Sequence, residues 1–218
     1  MKKNILIIAL IVSILSMIYM FLNYYGFIRY ANLRLSSPEH FLKHMNTIPK
    51  NKDRIIVVFN LNKKITRRNI TFINSILDQT VRPNEISLLL SYSKNEKVPD
   101  SIKNIVSTCG YSKDYGQYNS ILYPILKEPD ANTKILILNP NLIYGKDFLS
   151  IMIEKSDQNP NKIVYVNAHK QSDGILVTPN NLSKDFYNNL SSKENCMSQW
   201  LLENSKEIVS ADYIDILK

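Results

Sequence analysis

The chain begins with an apolar run, Ile5 to Leu22 (ILIIALIVSILSMIYMFL), that carries no charge and only two serines. At about 1.5 Å per residue it nearly covers a ~30 Å hydrocarbon core. Tyr19, Tyr24, Tyr25 and Phe27 fall where an aromatic belt would lie. The run ends in bulky residues rather than the small ones of a cleavage site, which predicts an uncleaved signal anchor. Asn23 to Asp53 is polar and basic, with one amphipathic piece, Pro38 to Met45, that predicts a short helix. After Arg54 apolar runs alternate with helical patterns, the signature of an α/β domain with a largely parallel sheet.

Strands are predicted at Arg54 to Leu61, Glu85 to Tyr92, Asn104 to Ser107, Lys134 to Leu138, Lys162 to Val166, Gly174 to Val177 and Glu207 to Ser210. Lys134 to Leu138 (KILIL) is the most apolar and is expected at the centre. Helices are predicted at Thr66 to Gln79, with Ile70, Ile73, Ile76 and Leu77 on one face, at Gln117 to Lys127, at Phe148 to Glu154 with Asp147 as N-cap, and at Asn195 to Ser205. The pattern therefore divides the chain into a cytosolic tail and signal-anchor helix over 1–24, a juxtamembrane stalk over 25–53 and an α/β domain over 54–218.

Composition narrows the classes of function. With 218 residues, 44% of them hydrophobic, the chain has ample core for one domain. The net charge of +8 is spread along the chain rather than gathered into a stripe, which argues against a nucleic-acid partner. Two cysteines, Cys109 and Cys196, permit one bridge and exclude a disulfide scaffold or a cysteine zinc site. His40 and His44 share a helix face, but no third ligand lies near them in sequence. The tripeptides starting at Asn69, Asn181 and Asn189 fit the N-glycosylation pattern, at the frequency expected by chance in an Asn-rich chain. Lys2 and Lys3 face Arg29 and Arg34 across the apolar run and hardly separate the two orientations. The short tail then favours a lumenal, extracellular or virion-surface domain.

Parallel sheets bind ligands at the carboxyl ends of their strands. The residues to weigh are therefore Asn139, Pro140 and Asn141 after KILIL, Ser91 to Ser93 after the second strand, and Asp114, Tyr115 and Gly116 beyond the third. Five glycines scattered singly exclude a P-loop or a dinucleotide fingerprint, and no Gly-x-Ser-x-Gly elbow occurs.

The stretch Ser75 to Ile86, with Gln79-Thr80, Pro83 and Glu85-Ile86, resembles the segment joining the first helix and second strand of inverting GT-A fold glycosyltransferases. Val98-Pro99, Asp114-Tyr115-Gly116, Leu122 to Leu126, Pro129-Asp130, Ile135 to Tyr144, Gly174 to Val177 and Cys196 to Trp200 follow in the order of a bacterial and viral branch of that family. The resemblance covers Arg54 to about Asp212. It implies a GT-A-like, mostly parallel sheet flanked by helices, a nucleotide-sugar donor, and a divalent ion such as manganese held by an Asp-x-Asp.

The chain departs from that pattern where the chemistry lies. Asn139, Pro140 and Asn141 replace the Asp-x-Asp, and two neutral amides bring no charge to a hard cation. The base-bearing aspartate pair aligns with Met197 to Gln199, none of which is a suitable base, and Ser120 replaces a lysine. No metal or other cofactor is therefore expected, and no catalytic residue can be assigned. Asp114, Tyr115, Gly116, Asn139 and Asn141 remain as nucleotide-binding candidates. Two readings follow. One is a membrane-anchored pseudoenzyme acting as a binding or structural protein, viral by its branch and a glycoprotein if its sequons are used. The other is an active, metal-independent glycosyltransferase in which Lys113, Lys146 or Lys170 replaces the ion. Expected partners are the membrane, a nucleotide sugar or glycan, and other proteins.

Overall fold

The structure is a computed structural model that describes residues 2–61, 65–91, 98, 100–111, 119–160, 162–166, 173–181, 208–210 and 216–217. The chain forms two compact units, 1–36 and 37–218. The first consists of α1 (Lys2–Tyr24) and α2 (Phe27–Leu35). Asn4–Tyr24, 21 residues, is long and apolar enough to cross a membrane, and none of it is buried within the fold. The turn between the helices rests on Gly26, whose φ of 72° is a left-handed conformation that only glycine adopts without strain. Tyr25 packs there on Phe21, with ring centroids 4.5 Å apart and planes tilted by 50°, and meets Tyr24 edge-on.

The stalk expected over 25–53 is divided between the two units. In the second, α3 (Pro38–Thr47) starts with Pro38 in its first turn, where the missing N–H costs nothing, and buries Phe41 and Met45. It packs on α4.

The second unit is an α/β fold with a mostly parallel sheet flanked by helices. Its strands are β1 (Ile55–Asn60), β2 (Glu85–Ser91), β3 (Ser107–Tyr111), β4 (Lys134–Leu138), β6 (Ile163–Tyr165), β7 (Gly174–Val177) and β8 (Ile208–Ser210), in the order β3-β2-β1-β4-β7-β6-β8. β7 alone runs antiparallel to its neighbours. A small second sheet pairs β5 (Ile143–Tyr144) with β9 (Ile216–Leu217). All five residues of β4 are buried and the strand is fourth of seven, so the most apolar run is central as expected. The third strand starts at Ser107 rather than Asn104. Residues 104–105 form a turn after a short helix, α5 (Asp100–Lys103), because Ile102 and Val106 are the side chains that insert into the core there.

The remaining helices are α4 (Arg67–Leu77), α6 (Asn119–Lys127) and α7 (Phe148–Gln158). α4 buries Phe72, Ile73, Ile76 and Leu77, while Ile70 is half-buried. Phe72 stands edge-on to both Phe59 of β1 and Tyr144, and Tyr144 in turn packs on Phe148. At the amino edge of the sheet Arg54 bridges Glu85 and Glu128, and Lys134 bridges Asp53 and Asp157. The helix expected over Asn195 to Ser205 lies outside the described residues.

Asp147 stands at the N-cap of α7, but its side chain makes no cap hydrogen bond. Its carboxylate accepts from the Thr80 hydroxyl at 2.9 Å instead. The first turn of α7 is served by Gln79, whose side-chain oxygen accepts from Leu149 N at 2.9 Å.

Candidate functional site

Where strand order reverses, at the β1–β4 seam, neighbouring connections leave in opposite directions and a crevice opens at the carboxyl ends. On this edge lie the end of β1, the first turn of α4, and the Asn139–Asn141 turn that follows β4. The α4 end is built by a reciprocal cap. Thr66 N and Thr66 Oγ1 both donate to Asn69 Oδ1, at 2.9 and 2.8 Å, while Asn69 N donates to Thr66 Oγ1 at 3.4 Å. Asn69 then donates through Nδ2 to the carbonyl of Pro140 at 3.3 Å, so one side chain ties the helix start to the turn after the central strand.

The turn itself is closed by Asn139, whose Oδ1 accepts from Asn141 N at 3.0 Å, and Asn139 O accepts from Leu142 N at 3.1 Å. Behind it Tyr144 is fully buried. Its hydroxyl accepts from Asn139 N at 2.9 Å and donates to the carbonyl of Asp173 at 2.5 Å. Burial pushes the Tyr144 phenol far above its ordinary range. A hydrogen bond to the Asn139 backbone pulls the other way, and the charge of Asp173 adds to the rise. The phenol is thus a neutral strut that fixes the turn against the start of β7.

Of the nucleotide-binding candidates, Asn139 and Asn141 are brought together in this turn, whereas Asp114, Tyr115 and Gly116 lie outside the described residues, as do Lys113, Lys170 and Met197 to Trp200. Lys146 sits elsewhere. Thr80 N donates to its carbonyl beyond the last turn of α4, while Asn69 meets Pro140 at the first, so the helix of 11 residues, about 16 Å, separates them.

Two features escaped the sequence reading. Asp173 reaches this edge because β7 is antiparallel, so the residue before the strand, not the one after it, lies at the crevice. Arg67 and Arg68 occupy the first turn of α4, exposed, where the helix dipole disfavours cations. Two basic residues directly after a Thr N-cap are a signal that the sequence does carry.

Among the described residues, this turn offers a divalent ion little. Asn139 Oδ1 is engaged by Asn141 N, both candidate ligands are neutral amides, and among the described residues no three His, Cys, Asp or Glu side chains converge.

No family profile matches the sequence, and no curated protein does. Solved structures do resemble the fold. One is the crystal structure of 4-diphosphocytidyl-2C-methyl-D-erythritol synthase from Anaerococcus prevotii, at 10% identity and a TM-score of 0.50, covering 75% of this chain and 91% of that one. The chain shares with it a Rossmann-like α/β fold.

Proposed function

We propose that the chain is a membrane-anchored, glycosyltransferase-like protein whose crevice at the β1–β4 seam holds the nucleoside diphosphate of a sugar donor without a divalent ion, and that it has lost transfer and acts as a binding or structural protein. The observation that carries this reading is the Asn139–Asn141 turn. It stands where the family resemblance would put the metal ligands, yet its first amide oxygen is spent on closing the turn. Arg67 and Arg68 beside it offer positive charge to a diphosphate, and the N-terminal N–H groups of α4 point the same way. Asp114, Tyr115 and Gly116, beyond β3, are proposed as contacts to the base. A neighbour in fold that is named for a diphosphocytidyl compound supports a nucleotide as the ligand class. The apolar α1, none of it buried in the fold, supports the anchor.

Calorimetric titration of the full chain in detergent with nucleotide sugars, with and without manganese, tests this. Binding should not tighten with manganese in the natural chain. The double variant Asn139→Asp, Asn141→Asp should become manganese-dependent. Metal-stimulated turnover by the natural chain would overturn the reading.

A second reading, an active metal-independent transferase, is favoured by one observation: the backbone carbonyl of Asp173 accepts from Tyr144 behind this turn, and the charge of its carboxylate is felt at that phenol. Under it, sugar release without metal would be measurable and would disappear in Asp173→Asn with nucleotide affinity retained.

A further inference from the structure

Asn69-Ile70-Thr71 fits the acceptor pattern for N-linked glycans. In the fold, that asparagine is only 7% exposed, and its Nδ2, the atom a glycan would occupy, donates to Pro140 O at 3.3 Å. Its Oδ1 accepts twice from Thr66. Thr71 is buried as well, and its hydroxyl donates to Arg67 O at 3.0 Å. A glycan is bulky and needs a surface position. Here it would break the cap of α4, push α4 off the Asn139–Asn141 turn and open the seam of the sheet.

Glycan transfer acts on the extended nascent chain, before any of this burial exists. A lumenal nascent chain would therefore present Asn69 as an ordinary acceptor, and modification would prevent the fold. From this we infer that the α/β unit folds on the side of its membrane where Asn-x-Ser/Thr sites are not modified, which is the cytosolic side in any cell that glycosylates them. The inference rests on the proposed anchor and places α1 with its N-terminus across the membrane. Flanking charge leans the same way: Arg29, Arg34 and Lys43 follow α1 within the window that counts for orientation, against Lys2 and Lys3 before it.

The test is translation of the full chain into sealed microsomes that glycosylate, with three variants and an endoglycosidase readout. Glu154→Asn creates an acceptor with Lys155 and Ser156 at an exposed position of α7, so its modification depends on sidedness alone. A polar extension bearing an acceptor site before Met1 reports the other side. Thr71→Ala removes the Asn69 acceptor. The expected result is a glycan on the extension only, with natural chain, Glu154→Asn and Thr71→Ala unmodified and all resistant to alkaline carbonate. A glycan gained by Glu154→Asn, or one on the natural chain, would overturn the inference while leaving the anchor standing. Release by carbonate would instead remove the anchor on which the inference rests, and the inference with it.

Discussion

Gln79 and Leu149 lie 70 positions apart, and the side-chain oxygen of the first accepts the backbone N–H of the second at 2.9 Å. The same amide donates to Ser75 O and Gly145 O, both at 2.7 Å, so this buried group is satisfied on every side. Gln79→Leu nearly keeps the volume and strands the Leu149 N–H and the Ser75 carbonyl, while Gly145 O keeps the N–H of Phe148 at 3.3 Å. Each buried unsatisfied group costs about 1–3 kcal/mol, so a loss of about 3 kcal/mol and a Tm lowered by ~6–12 °C are expected in thermal unfolding. An unchanged Tm would mean the amide is not the strut described.

Gly174 has no room for a methyl group. A Cβ there would stand 2.9 Å from Val166 Cγ2 and 3.3 Å from Leu138 Cδ2. Gly174→Ala should destabilise by about 1–3 kcal/mol, because Val166, just past β6, must shift and Leu138 of β4 must give by a few tenths of an ångström. Denaturant titration with an unchanged slope would locate the loss in the folded state.

Lys134 is buried to 6% side-chain exposure between Asp53 and Asp157. Burial opposes its charge, but hydrogen bonds and attraction from Asp157 and Asp53 prevail and hold its pKa above the ordinary 10.5. A group raised in the folded state contributes stability that is complete below its unfolded value and is lost as pH rises through the folded one. The natural chain should therefore weaken above pH 10.5. Lys134→Met should be less stable at neutral pH and show a shallower alkaline decline, as followed by circular dichroism.

Among the described residues the buried Tyr165 phenol on β6 has no hydrogen-bond partner, and burial pushes its pKa up to about 12. Tyr165→Phe removes an unsatisfied hydroxyl at constant shape. A gain of about 1 kcal/mol is expected, largest at alkaline pH, where the unfolded phenol ionises first. Destabilisation would point to a partner for the hydroxyl.

Alkaline carbonate extraction should leave the full chain in the membrane pellet. Deleting residues 4–24 should move it to the supernatant.

Much of this was legible in the sequence because it rests on short-range patterns. KILIL reads as a central strand since a short apolar run without alternation suits a strand covered on both faces of its sheet, and the α4 face follows from its spacing. Gln79-Thr80 was read as a family mark, but its cause, the clamp on 145–149, needs contacts between distant segments. The sense of β7 has no local signature, and for that reason Asp173 was not weighed. That Asn139 and Asn141 follow the central strand is plain from the pattern, whereas the hydrogen bond between them depends on a turn geometry that composition does not specify.

The order of the strands also sets an order of assembly. β1, β2 and β3 pair with near neighbours along the chain, and so do β6 and β7, while β1 must find β4 across everything from α4 to α6. Closing that long loop carries an entropic cost that grows with its length. The crevice straddles this seam, so the two halves can condense separately without creating it. A ligand for it can be bound only by chains in which β1 and β4 have paired, which makes binding a reporter of that pairing in any refolding time course.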